Sequence, residues 1–116
     1  GGPWRAGITD PADPDRTLFE LALGGGRGQH PALATSGGYG TRFGPDPAIH
    51  HLIDPRTGRS ANYHAAVSVA APRATLADGL STTLSILPPE QRAPLLAAYP
   101  SVRTWFVDEA GRVTGP

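Results

Sequence analysis

This chain of 116 residues contains no cysteine and, among its ten basic residues, no lysine. The first absence removes disulfides and thiol chemistry, and with them any sign of the redox compartment; an oxidising space would do such a chain no harm. The second belongs to a composition rich in Ala, Arg, Gly and Pro, which reflects a coding bias toward G and C and carries no function. Ten arginines are matched by ten acidic residues, for a net charge of zero. A neutral chain without a basic stripe argues against nucleic acid as a partner. No apolar run approaches the roughly 20 residues of a membrane-spanning helix. No signal-peptide pattern opens the chain, although trimming at the N-terminus would have removed one. Internal repeats are absent, and only the glycine-rich stretch near Gly25 is of low complexity.

What is present suffices for one domain at most, able to bury roughly two thirds of its extended surface if it folds alone. Residues 4–8 form a short apolar strand, and Thr9-Asp10-Pro11-Ala12-Asp13-Pro14-Asp15 predicts a loop after it. Residues 17–23 alternate as a strand with one buried side. Gly24-Gly25-Gly26 then reads as a flexible hairpin connection, since no helix start follows that would make it a phosphate cradle. Residues 32–35 are short and apolar, and residues 50–53 run as a strand into an Asp-Pro turn. Residues 65–71, Ala-Ala-Val-Ser-Val-Ala-Ala, are the clearest strand, closed by Pro72. Leu76, Ala77, Leu80, Leu84 and Leu87 then fall on one stripe, which predicts a helix over 74–87 packed on a sheet. Pro88-Pro89 announces a second helix over 90–99, with Pro94 either in its first turn or kinking it. A strand over 102–107, a turn at 109–112 and a last short strand complete an α+β pattern, a mixed or antiparallel sheet packed by helices. Trp4 and Trp105 are expected in packing.

Chemistry concentrates in three places. His50-His51-Leu52-Ile53-Asp54-Pro55-Arg56-Thr57-Gly58 puts imidazole, carboxylate and guanidinium on a tight turn. His51 is the candidate for proton transfer, because imidazole has the unperturbed pKa nearest neutrality; the plainer reading is a histidine that caps the turn. His50 points the opposite way along the strand and reads as structural or exposed. Asp54 either caps its own turn or holds imidazole and polar ligand groups, and Arg56 either approaches phosphate or forms a surface ion pair. Asp78 and Thr82 stand four apart on the predicted helix, where their oxygens can share one hard cation; the alternative is an exposed carboxylate and a back-bonded hydroxyl. Thr35, Ser36 and Gly37 offer hydroxyls and close backbone approach to a ligand.

In order and spacing these three segments resemble the ApbE family, the FAD:protein FMN transferases. In that family a histidine, two apolar residues and Asp-Pro-x-Thr-Gly lie at the active site, and a later Ala-Asp-x-Leu-x-Thr helix supplies magnesium ligands. The resemblance implies a T-fold-like α+β architecture of which residues 1–116 are the C-terminal portion, the N-terminal portion being absent. The chain is therefore expected to be a fragment, a cleaved subunit or a remnant, inactive alone, which leaves room for a separate chain carrying the N-terminal half. The resemblance further implies His51 as the base, Asp78 and Thr82 as Mg2+ ligands, and Thr35, Ser36, Gly37, Asp54 and Arg56 around the nucleotide. One departure stands out. The family has a polar residue, typically Asp or Ser, where this chain has Gly38.

The implied reaction is magnesium-dependent transfer of FMN from FAD to a threonine hydroxyl of a target flavoprotein, with release of AMP. Two alternatives stay open, a pyrophosphatase that splits FAD to FMN and AMP, and a flavin-binding or structural remnant without turnover. By resemblance the enzyme would work in the bacterial periplasm or at the outer face of the inner membrane.

Overall fold

A computed structural model describes residues 2–24, 26 and 30–116. Its centre is a strand in which every side chain is buried, Ala66–Ala71. Such a strand needs cover on both faces, and that explains its small, unbroken apolar run around a single Ser68. In chain order the strands are β1 (Trp4–Asp10), β2 (Asp13–Leu23), β3 (Ala32–Ser36), β4 (Ile53–Asp54), β5 (Arg59–Ser60), β6 (Ala66–Ala71), β7 (Arg103–Val107) and β8 (Val113–Thr114). The helices are α1 (Ala74–Ile86) and α2 (Arg92–Ala97). The main sheet has the order β3-β6-β7-β8 and is antiparallel throughout, with Thr35 opposite Ser68 and Ser68 opposite Trp105. The expected α+β class is thus found, with antiparallel pairing.

One face of the sheet takes α1. Val67, Val69 and Ala71 from β6 meet Ala77, Leu80 and Leu84 from the helix, with Phe106 of β7 completing the core. The stripe read from the sequence is the buried face, except that Leu76 and Leu87 remain half-buried and Ser81 and Ser85 share the interior. Both serines lie on the buried side because their hydroxyls have partners: Ser85 donates to the Ser81 carbonyl at 2.7 Å and Ser81 to the Asp78 carbonyl at 3.0 Å. On the opposite face Phe19 of β2 packs on Trp105, ring centroids 5.6 Å apart. Trp105 is buried as expected. Trp4 is not: it is 82% exposed at the start of β1, opposite Leu23, so its expected packing role is corrected.

The loop expected over residues 9–15 is also corrected. The β1–β2 hairpin runs nearly to its tip, with Asp10 opposite Asp13. Asp10 Oδ1 accepts the Ala12 amide at 2.9 Å and Asp13 Oδ1 accepts the Asp15 amide at 3.1 Å. These side chains supply the turn's hydrogen bonds, and Pro14 falls where the ladder register shifts, so its missing N–H breaks no pair. The Gly24-Gly25-Gly26 connection lies partly outside the described residues, since Gly25 is not among them. The expected strand over 50–53 is shorter, with only Ile53 and Asp54 pairing with β5, while His50 forms a lone bridge to Arg42.

α2 starts after a 3-10 turn at Pro89–Gln91, which puts Pro94 in its first turn, where its absent N–H costs no hydrogen bond. Arg92 pins this helix to the sheet. Its guanidinium lies 4.1 Å from the Phe106 ring centre and its Nη1 donates to His64 Nε2 at 3.4 Å. His64, half-buried against Phe106, has its pKa lowered, first by burial and then by the Arg92 charge, in keeping with a neutral ring that accepts. No helix among the described residues is long and apolar enough to cross a membrane.

Leu84 is fully buried at the helix–sheet contact. Leu84→Ala is expected to cost about 2–5 kcal/mol of stability, read from denaturant unfolding, and a loss well under 1 kcal/mol would place the core elsewhere.

Candidate active site

The end of β3 and the middle of α1 lie side by side, and hydroxyls join them. Thr35 Oγ1 is 2.7 Å from Ser68 Oγ on the neighbouring strand. Ser36 Oγ, buried, is 2.7 Å from Ser81 Oγ and 3.3 Å from Thr82 Oγ1. Because Ser81 spends its proton on the Asp78 carbonyl, the contacts run in one direction: Thr82 donates to Ser36, Ser36 to Ser81, and Ser81 to the backbone. Thr82 is therefore not the back-bonded hydroxyl that a mid-helix threonine commonly is; Thr83, its neighbour, takes that role by donating to the Gly79 carbonyl at 2.8 Å.

A cleft of about 520 Å³ opens beside this junction. Thr35, Ser36 and Gly37 line one wall, Asp78 and Thr82 another, and His51 a third. Six residues from three separate segments thus share one space. His51 is exposed, and its Nδ1 is 3.2 Å from the Thr41 carbonyl. A carbonyl only accepts, so Nδ1 carries the ring proton and Nε2 keeps its lone pair. Asp78 is exposed, and among the described residues no ion pair includes it.

Asp54 and Arg56 are not brought to this cleft. Asp54, buried, accepts the Arg56 amide at 2.9 Å and Arg56 Nη2 at 2.9 Å, while Arg56 Nη1 donates to Gln91 Oε1 at 3.3 Å. The turn closes through Gly58, whose φ of 70° suits glycine and whose amide reaches the Asp54 carbonyl at 2.8 Å. Of the two readings open for each residue, the geometry has Asp54 capping its own turn and Arg56 forming an ion pair with it. Side-chain and backbone hydrogen bonds from Arg56 hold the Asp54 carboxyl below the usual carboxylate range.

Tyr39 and Thr41 also line the cleft; Tyr39 follows Thr35-Ser36-Gly37 as the resemblance has it, with a core aromatic as the other reading, whereas Thr41 is no candidate from the sequence. Tyr39 sits in a 3-10 turn, Gly38–Gly40, marked in the sequence by the glycines around it, and Thr41 is the extended residue that follows. A Cβ on Gly37 would overlap the Tyr39 ring and crowd the Ala65 carbonyl, so the turn is drawn close at a position without a side chain. A second cavity of about 450 Å³ lies along the same turn, bordered by Tyr39, Gly38, His50, Asn62 and His64.

Chemically, the cleft offers a base nitrogen, a hydroxyl-lined wall and one carboxylate beside a hydroxyl. Among the described residues no three His, Asp or Glu side chains cluster tightly enough to hold a metal by themselves. Asp78 with Thr82 is instead a sparse set of hard oxygens, of the kind that suits a cation whose remaining ligands are water and substrate phosphate.

The sequence pattern of the ApbE family matches residues 1–106. The FAD:protein FMN transferase of Treponema pallidum is 36% identical over 121 aligned positions, covering 95% of this chain and 30% of that protein. The enzyme of the same name from Klebsiella pneumoniae is 37% identical over 93 positions, covering 78% of this chain and 25% of that protein. The crystal structure of the ApbE protein of Thermotoga maritima superposes with a TM-score of 0.80 at 29% identity, over 99% of this chain and 36% of the other. The chain thus spans between a quarter and just over a third of the length of these three relatives.

The Asp54 pairing has a pH signature. A carboxylate whose pKa is lowered on folding stabilises the fold fully above its unfolded value, about 4, and loses that contribution as pH falls through the folded value. Arg56→Ala removes the largest cause of the lowering, the side-chain hydrogen bonds, and keeps the backbone amide, so acid unfolding followed by circular dichroism is expected to begin at higher pH than in the parent. An unchanged acid midpoint would mean the pair contributes nothing to the fold.

Proposed function

This chain belongs to the ApbE family, and on that premise we propose that it carries the reacting centre of an FAD:protein FMN transferase. One observation carries the reading: the cleft gathers Thr35, Ser36, Gly37, His51, Asp78 and Thr82 from three separate segments between residues 35 and 82. In this reading FAD lies along the cleft with its pyrophosphate toward Asp78 and Thr82. The hydroxyl-bearing wall and the Gly37 backbone hold the nucleotide. His51 Nε2, with its lone pair free, takes the proton from a threonine hydroxyl of the acceptor protein. The threonine oxygen forms a bond to the phosphorus of FMN as the anhydride P–O bond breaks, and the AMP phosphate leaves with the electron pair. Thr41, through its carbonyl, keeps the His51 ring in the tautomer that this step needs.

Asp78 and Thr82 are the residues that would hold Mg2+; the cation would offset the charge that develops as the anhydride opens. Supporting this fit are the hard oxygen donors and the absence of any ion pair to Asp78 among the described residues. On family grounds the acceptor is a flavoprotein and the work is done in the bacterial periplasm or at the outer face of the inner membrane.

The test is AMP release from FAD by the complete polypeptide, with a threonine-bearing acceptor present and its mass recorded. Transfer predicts one FMN bound per acceptor; free FMN in its place would make the protein a pyrophosphatase. His51→Ala is expected to lower turnover by about 10²–10⁴-fold with little change in the KM for FAD. Asp78→Asn is expected to raise the magnesium concentration needed for half-maximal rate. Undiminished turnover in His51→Ala would remove the base from the mechanism.

A further inference from the structure

His50 and His51 are adjacent yet serve opposite sides of the chain. Their rings are 6.4 Å apart and inclined at 68°; His51 faces the cleft, while His50 is only 4% exposed. A buried imidazole needs a partner for each nitrogen, and His50 has both. Its Nδ1 accepts the Leu52 amide at 3.2 Å, so Nε2 carries the proton and donates it to Asn62 Oδ1 at 3.0 Å. The Asn62 amide is itself fixed, because its Nδ2 donates to the carbonyls of Ala48 at 3.0 Å and Ser60 at 3.3 Å. Ser60 then closes the circuit. Its hydroxyl donates to the His50 carbonyl at 2.7 Å and accepts the His50 amide at 2.9 Å.

The peptide groups on both sides of His51 are thereby held, one through the His50 C=O and the other through the Leu52 N–H, while the His50 N–H holds the peptide before them. The same ring bears on the opposite wall of the cleft as well. A Cβ on Gly38 would overlap the His50 ring, so the Gly38–Gly40 turn rests directly on the imidazole. Gly38 is also the position at which this chain lacks the polar residue expected from the resemblance. The ring occupies the space that such a side chain would need.

We propose that His50 and Asn62 form a positioning pair that aims His51 and sets the Gly38–Gly40 wall against it, with Gly38 required to be glycine by the His50 ring. Neither residue is a catalytic group, since neither lines the cleft. The proposal rests on the flavin transferase reading for its effect on turnover, but its geometric content is independent of any reaction.

Two measurements on the complete polypeptide separate these. Imidazole 15N spectra report the tautomer and uniformity of the His51 ring, and magnesium-dependent AMP release from FAD reports turnover. In Asn62→Ala the His51 signals are expected to shift or broaden as the Nδ1–H bond to Thr41 is lost, with kcat falling about 10²-fold and the KM for FAD within about twofold. Gly38→Ala is expected to do the same by displacing the ring. Combining Gly38→Ala with His50→Ala, which frees the space, should recover the position of the turn relative to Gly38→Ala alone. Where Asn62→Ala does not fold, Asn62→Asp keeps an acceptor for His50 but replaces the two amide donors by a carboxylate oxygen facing the Ala48 and Ser60 carbonyls. A folded variant with unchanged His51 signals overturns the positioning role. Shifted signals in a protein whose parent releases no AMP uphold the positioning and overturn the transferase reading.

Discussion

The complete burial of β6 is the constraint on which the rest of the molecule depends. Six consecutive residues with no exposed face have to be covered from both sides, and the chain does so with α1 on one side and the β1–β2 hairpin reaching Trp105 on the other. Small side chains permit this. Ala66, Ala70 and Ala71 let neighbouring layers approach, while Val67 and Val69 supply the apolar contact with α1. β3 pairs with β6 along its length, and α1 lies over both, so the C-terminal end of β3 is delivered to the middle of the helix. The cleft sits at that point of delivery. Its position is a consequence of packing before it is a matter of chemistry.

At the junction the apolar core gives way to hydroxyls, and the exchange is orderly. Ser68, Ser81 and Ser36 are all buried, yet each has a hydrogen-bond partner, and no buried side-chain nitrogen or oxygen among the described residues is left without one. A directed chain of donors from Thr82 through Ser36 to Ser81 couples the orientation of a surface hydroxyl to the interior. Thr82 is thus held at the cleft by what lies beneath it. Asp78, one turn earlier, is held only by the helix and stays free to meet a ligand.

Much of this was legible in the sequence, and the reasons differ by element. β6 and α1 announced themselves because a long apolar run and a leucine stripe are global signals that packing cannot easily override. The candidate site residues are picked out by motif order, and the cleft brings six of the eight together. Asp54 and Arg56 show the limit: spacing places them on one turn but cannot say whether two opposite charges face a ligand or each other. The hairpin at residues 10–13 was misread because Pro and Asp mark any turn, tight or loose, and only the Asp10 and Asp13 side-chain bonds decide which. Trp4 was misread for a different reason. Aromatic character predicts burial only where another layer covers the residue, and composition carries no information on that.

His64 and Asn62 left no signal in the sequence at all, yet each ties two elements together, His64 through Arg92 and Asn62 through His50. Both act as acceptors toward a donor whose role is fixed, a guanidinium in one case and a ring whose proton is already assigned in the other. Such roles emerge only from three-dimensional pairing. The division of labour between His50 and His51 follows the same logic. In an extended segment adjacent side chains face opposite ways, so one histidine can be spent on holding the backbone while its neighbour keeps a free nitrogen for the cleft. His50 engages both ring nitrogens, one accepting the Leu52 amide and the other donating to Asn62. The nitrogen left open to a proton is therefore Nε2 of His51, and the alternation of the chain supplies the buried and the open environment on adjacent residues.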